Sequence, residues 1–148
     1  MPPLSDLLDD FSFLEGDDRI AFLIDLGRAL PPMPPALKTD ATQVRGCSAS
    51  VWVYPRLEDG RMRFAADSNA AITKGLVALV VAAVDGRTPE EVAAMDIAAA
   101  LAPFELQRQL SSNRTQGIPN MISLIKETAG RLVNVDRAVA PTRPTVDV

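Results

Sequence analysis

"VWVYPRLEDGRMRFAADSNAAITKGLVALVVAAVDG", residues 51–86, contains the change of period that decides the fold. Val51, Trp52, Val53 and Tyr54 are β-formers, Glu58-Asp59-Gly60 is a hairpin turn signal, and Met62, Phe64 and Ala66 alternate with polar or charged neighbours. Two strands joined this tightly form an antiparallel hairpin. Past Asp67 and Ser68, which stand in helix-cap positions, the spacing becomes helical. Ile72, Leu76, Leu79, Val80 and Ala83 fall on one stripe, and Gly86 is the stop. A hairpin followed at once by a helix apolar enough to lie across it predicts an α+β fold.

Towards the N-terminus, residues 4–15 predict a short amphipathic helix with Leu4, Leu7, Leu8 and Phe11 on one side. A second helix starts with Asp17 or Asp18 as N-cap and carries Ile20, Leu23, Ile24, Gly27 and Leu30 at helical spacing. Prolines 31, 32, 34 and 35 end it, since proline lacks the donor and clashes with the preceding turn. They leave a rigid, extended connector into the hairpin. Towards the C-terminus, "TPEEV" at 88–92 is a helix start with Pro89 in its first turn, and short helical pieces follow, broken at Pro103. Ile118, Ile122, Ile125, Ala129 and Leu132 predict a last core-facing helix. Beyond Val133 two prolines and the loss of the stripe predict a loose tail, so 1–132 is read as a single domain and 133–148 as a flexible tail.

A chain of 148 residues has room for one apolar core. Its net charge of −4, with no cluster of Lys and Arg, argues against a nucleic-acid partner, which would need a basic face. The longest strongly apolar run, Gly75–Val84, is too short to span a bilayer, and the first residues are acidic where a signal peptide is basic. The expected location is the cytoplasm. With no histidine, catalytic triads and the usual zinc sites lose an essential member, and no metal site is expected.

One cysteine remains, Cys47, in "RGCSASVWV" at 45–53. A solitary cysteine most often fills a core as a small apolar residue. This one follows Gly46, where the connector enters the hairpin. A glycine there lets the backbone take a positive φ and lets another molecule approach the sulfur, so Gly46 reads as the hinge of a loop. A thiol is a nucleophile only as thiolate, from an unperturbed pKa of about 8.5, and needs a nearby cation or donor to ionise at neutral pH. Arg114, in "SSNRTQG" ahead of the last helix, is the candidate cation; its alternative is a solvated surface arginine. Asp67 reads first as a helix cap. An Asp67–Arg114 ion pair would tie the hairpin to the last helix and fix the arginine near the loop. Trp52 reads as core.

"VRGCSASVW", "DSNAAITKGL" and "SSNRTQGI", in this order and spacing and together with "LIDLGRALPPMP", resemble the SufE/CsdE family of cysteine-desulfurase partner proteins over Leu4 to Leu132. The resemblance implies a small antiparallel sheet of about three strands packed against several helices, similar to the IscU scaffold fold. It implies that Cys47 accepts sulfane sulfur as a persulfide from a PLP-dependent cysteine desulfurase (SufS- or CsdA-like), stimulates that enzyme and passes the sulfur to an iron–sulfur scaffold complex (SufBCD-like). On this reading the chain is a sulfur acceptor rather than a stand-alone enzyme and holds no cofactor, the PLP residing on the desulfurase. Asp67 and Arg114 match the family's aspartate and arginine. Pro119 falls where many relatives start the last helix, so that helix is expected to begin later, with 113–117 as a loop. Two alternatives stand beside this reading: a docking-only activator of a desulfurase, and a single-cysteine thiol redox protein in which Cys47 forms a sulfenic acid.

Overall fold

Side-chain alternation across the central hairpin sets up two layers. The computed structural model describes residues 2–46, 49–109, 115 and 117–139. Strands β1 (Val51–Glu58) and β2 (Arg61–Ser68) pair antiparallel in the register Val51↔Ser68 through Glu58↔Arg61. Asp59 and Gly60 at the tip both have positive φ, 54° and 79°, the pattern of the type I′ turn whose twist matches the strands. The register puts Val51, Val53, Met62 and Ala66 on one buried face. Trp52, Tyr54, Arg56 and Arg63 are on the opposite, open face. Trp52 is therefore half-buried outside the core, because its place in the pleat sends it away from Val51 and Val53.

The resemblance led to about three strands; among the described residues there are two. The third is reduced to one bridge, Gln43↔Trp52, made by Val44 N–H donating to Val51 O (2.8 Å) and Val53 N–H donating to Thr42 O (2.9 Å). A turn at Arg45–Gly46 takes the chain out of pairing before a ladder can grow. The α+β class stands.

Helix α3 (Ala71–Val84) covers the buried sheet face and is buried nearly all round, from Leu76 to Val84. Helices α1 (Leu4–Ser12) and α2 (Asp17–Arg28) close its other side. At the α2–α3 crossing the backbones nearly touch: a Cβ on Gly75 would run into the carbonyl oxygen of Leu23, and one on Gly27 would lie 2.8 Å from Gly75 N. Buried Phe11 packs on Phe104 with ring centroids 5.1 Å apart, which joins α1 to the 3₁₀ turn Ala102–Phe104.

Helix α4 (Pro89–Ala94) opens on a reciprocal box: Glu91 N–H donates to Thr88 Oγ1 (3.2 Å) and Thr88 N–H donates to Glu91 Oε1 (3.0 Å). Short helices α5 (Ile97–Leu101) and α6 (Leu106–Gln109) follow, then α7 (Ile118–Val139). Proline at 119 falls within the first turn, where its missing N–H has no helical partner to lose, so the helix begins at Ile118 rather than after it. The buried stripe of α7 is Met121, Ile125, Ala129 and Val133; of the residues expected on it, Ile125 and Ala129 are fully buried while Ile118, Ile122 and Leu132 are only partly buried. The backbone remains helical to Val139, past the end of that apolar pattern. Residues 140–148 of the expected tail lie outside the described residues.

Candidate functional site

The segment that carries the cysteine is anchored on both sides by asparagines. On the N-terminal side Gly46 adopts φ +82°, a conformation that costs most side chains energy. Asn120, in the first turn of α7, donates from Nδ2 to Arg45 O at 2.8 Å, and its amide lies so close to Gly46 that a Cβ there would run into Nδ2. On the C-terminal side Ser50 N–H donates to Asn69 Oδ1 (3.1 Å), and Asn69 N–H donates to Ser50 O (3.3 Å). The segment thus leaves the first turn of α7 and enters β1 beside the start of α3. An open depression of about 470 Å³ lined by Asp40, Gln43, Val44, Arg45 and Gly46 borders it. Cys47 and Arg114 lie outside the described residues, as does any Asp67–Arg114 contact.

Asp67 is not a helix cap. Register places it on β2 opposite Trp52, and α3 starts four residues later with Ala70 as its N-cap. Ser68 takes the local role, its Oγ accepting from Ala70 N–H at 3.3 Å. The Asp67 carboxylate, 15% exposed, meets two lysines: Lys38 Nζ at 2.5 Å from Oδ2 and Lys74 Nζ at 3.2 Å from Oδ1. Its Oδ1 also accepts from Ser68 N–H at 2.8 Å. Lys38 reaches it from the connector across the face of Trp52, 5.5 Å from the ring centroid. The connector, distant in sequence, here meets the end of β2 and the first turn of α3.

Burial pushes the Asp67 carboxyl up, but the hydrogen bonds from Lys38, Ser68 N–H and Lys74, with the charge of Lys74, outweigh it and hold the group below the ordinary value of 3.8. A carboxyl whose folded value lies below its unfolded one adds stability above the unfolded value and loses it as pH falls through the folded one. Asp67→Asn keeps the shape and the acceptor but not the charge. At neutral pH it is expected to unfold about 1–2 kcal/mol more easily than the natural chain. Urea titrations taken downward from pH 6 should show that gap closing below the ordinary carboxylate range. A gap that stays constant to the acid limit would separate Asp67 from the effect.

Lys38, Lys74, Asn69 and Asn120 were not singled out from sequence. Asn69 stands inside the quoted "DSNAAITKGL", and an asparagine just before a helix signals a local backbone contact. The contact Asn69 makes is not that local one but reaches Ser50, and Lys38 and Asn120 likewise have distant partners, while Lys74 stands in the same stretch as Asp67. Among the described residues no three His, Cys, Asp or Glu side chains gather to hold a metal, and no helix is long and apolar enough to cross a membrane.

Residues 5–129 match the model of a family described as SufE, the Fe-S metabolism associated domain. An uncharacterized SufE-like protein of Rhizobium meliloti is 38% identical over 138 residues, covering 89% of this chain and 99% of that protein. The sulfur acceptor protein CsdE of Escherichia coli is 39% identical over 103 residues, 69% of this chain and 70% of that one. A solution structure of a hypothetical protein from Thermus thermophilus superposes with a TM-score of 0.73 over 90% of this chain and 99% of that one. At 20% identity, that match speaks for the fold alone.

Proposed function

The chain belongs to the SufE family, and on that premise we propose that it acts as a sulfur acceptor for a cysteine desulfurase, with Cys47 as the atom that carries the sulfur. The observation that supports this most is an arithmetic one. The chain is similar over most of its length to a protein named a sulfur acceptor, and it owns a single thiol. Sulfur held as a persulfide has only that place to go.

The step is an exchange with a persulfide as electrophile. The Cys47 thiol gives up its proton, and the thiolate attacks the terminal sulfur of the desulfurase cysteine persulfide. A new S–S bond forms to Cys47 as the old one breaks, and the desulfurase cysteine leaves as thiolate to take up a proton. The sulfane sulfur keeps its oxidation state, so no external oxidant or reductant is needed. Arg114 supplies moderate stabilisation of the thiolate, and Asp67 orders the base of the segment through its lysines. Moderate is the useful degree, because nucleophilicity falls along with thiol pKa. The pyridoxal phosphate that makes the persulfide stays on the desulfurase. The sulfur then passes to an iron–sulfur scaffold in the cytoplasm. One cysteine and no histidine fall short of the ligands a cluster scaffold needs, so the chain delivers sulfur and does not build clusters.

Adding this chain to a cysteine desulfurase supplied with cysteine is expected to form a complex and raise the rate of alanine release. Neither complex nor stimulation, with a desulfurase encoded in the same genome, would contradict the proposal.

A further inference from the structure

Strand β1 has an open outer edge, and a proline stands in the middle of it. Val51 O accepts from Val44 N–H and Val53 N–H donates to Thr42 O, so the odd-numbered residues of β1 turn their backbone polar groups away from β2 while the even-numbered ones face it. By this alternation Val51, Val53, Pro55 and Leu57 form the outer edge. Continuing the Gln43↔Trp52 alignment backwards would set Asp40 opposite Pro55. Pro55 has no N–H to offer there. The connector has already turned away, with Thr42 N–H donating to Thr39 O (3.2 Å) and Thr42 Oγ1 donating to Leu37 O (2.5 Å). Among the described residues, the edge from Pro55 to Glu58 therefore has no strand beside it.

Apolar surface is exposed at the same place. Tyr54 and Leu57, two of the three exposed large apolar side chains among the described residues, flank Pro55 at 38% and 37% exposure. An open, apolar strand edge is a template for a further strand. A second copy of β1 fits it: running antiparallel across a two-fold axis, it would set Pro55 opposite Pro55 and Val53 opposite Leu57. The central pair of such a ladder exchanges two N–H···O bonds, and proline in both chains removes both. We propose that Pro55 guards the outer edge of β1 and keeps the chain from joining a second copy into one continuous sheet. The hairpin loses nothing by it, because the missing N–H is one that would point away from β2.

Pro55→Thr restores the donor on a β-forming residue. Two recovered hydrogen bonds, at about three- to tenfold each, are expected to tighten self-association about ten- to hundredfold over the natural chain, as read by sedimentation equilibrium. In the associated form the Leu57 amide should exchange with solvent more slowly than in the natural chain, because the new pairing takes it up. A second variant moves the proline along the edge. Leu57→Pro added to Pro55→Thr again removes an outward donor and leaves the β1–β2 ladder intact, since Leu57 lies on the side turned away from β2. This double variant should return to the association of the natural chain. Pro55→Thr that associates no more tightly than the natural chain would overturn the guard. So would association that persists in the double variant, or association that leaves the Leu57 amide exchanging as fast as before.

Discussion

Replacing Gly75 by alanine is expected to remove about 3 kcal/mol of folding stability, at the upper end of what overpacking costs. The added methyl meets main chain rather than a flexible side chain: the carbonyl oxygen of Leu23, with its carbonyl carbon at 2.6 Å. Relief requires α2 and α3 to separate, which opens gaps around Leu23 and Leu76, both fully buried. For a domain whose whole stability is about 5–15 kcal/mol, that is a large share. The same substitution at Gly130, in α7, has nothing described within 4 Å of the new methyl. It should be neutral or stabilise by up to about 1 kcal/mol, since glycine is a poor helix former. Urea unfolding of the two variants side by side checks the argument, and equal effects would contradict it. Lys74 is next to Gly75 and pairs with Asp67, so the Gly75 variant should also weaken the Asp67 cluster.

Cys47→Ser is the second substitution with a large expected effect. Serine has nearly the same shape, so complex formation with the desulfurase should persist. Its hydroxyl is not ionised near neutral pH and cannot hold a sulfane sulfur in a persulfide, so sulfur uptake should fall to background. Stimulation of alanine release should fall with it, because a desulfurase that cannot unload its persulfide stalls. Full stimulation by the serine variant would favour the docking-only reading. Consumption of peroxide by the natural chain with no sulfur uptake would favour the redox one.

What the sequence disclosed follows the range of the interactions involved. The β1–β2 hairpin and α3 were legible because alternation, the Glu58-Asp59-Gly60 turn and the apolar stripe are local signals confirmed by one register. At Thr88 to Glu91 the helix start is legible from Pro89, and the spacing of Thr88 and Glu91 also carries the capping box the structure forms. The third strand was overestimated because the family pattern does not show where pairing stops, and here a turn at Arg45–Gly46 stops it after one bridge. The stripe of α7 was legible at its middle, where Ile125 and Ala129 are buried, but its edges are Met121 and Val133 where Ile122 and Leu132 were expected and are only partly buried. Methionine was passed over for isoleucine, although a flexible thioether fills such a gap equally well.

Asp67 was found as a residue and misassigned as a cap, because "DSN" before a helix looks like one until register assigns it to β2. Its lysines come from 29 residues upstream, at Lys38, and seven downstream, at Lys74. Of these spacings only a fold can make a cluster. Asn120 shows the same limit: its acceptor is 75 residues away.

The central claim is that Cys47 carries sulfur, and intact-mass spectrometry of the wild-type chain tests it most directly. After brief incubation with desulfurase and cysteine, followed by separation from the enzyme, the chain should gain the mass of one sulfur atom. The gain should map to the peptide containing Cys47 and vanish on treatment with a thiol reductant. A chain that stimulates the desulfurase yet never shows the added sulfur, or shows it on Cys47→Ser as well, would contradict the account.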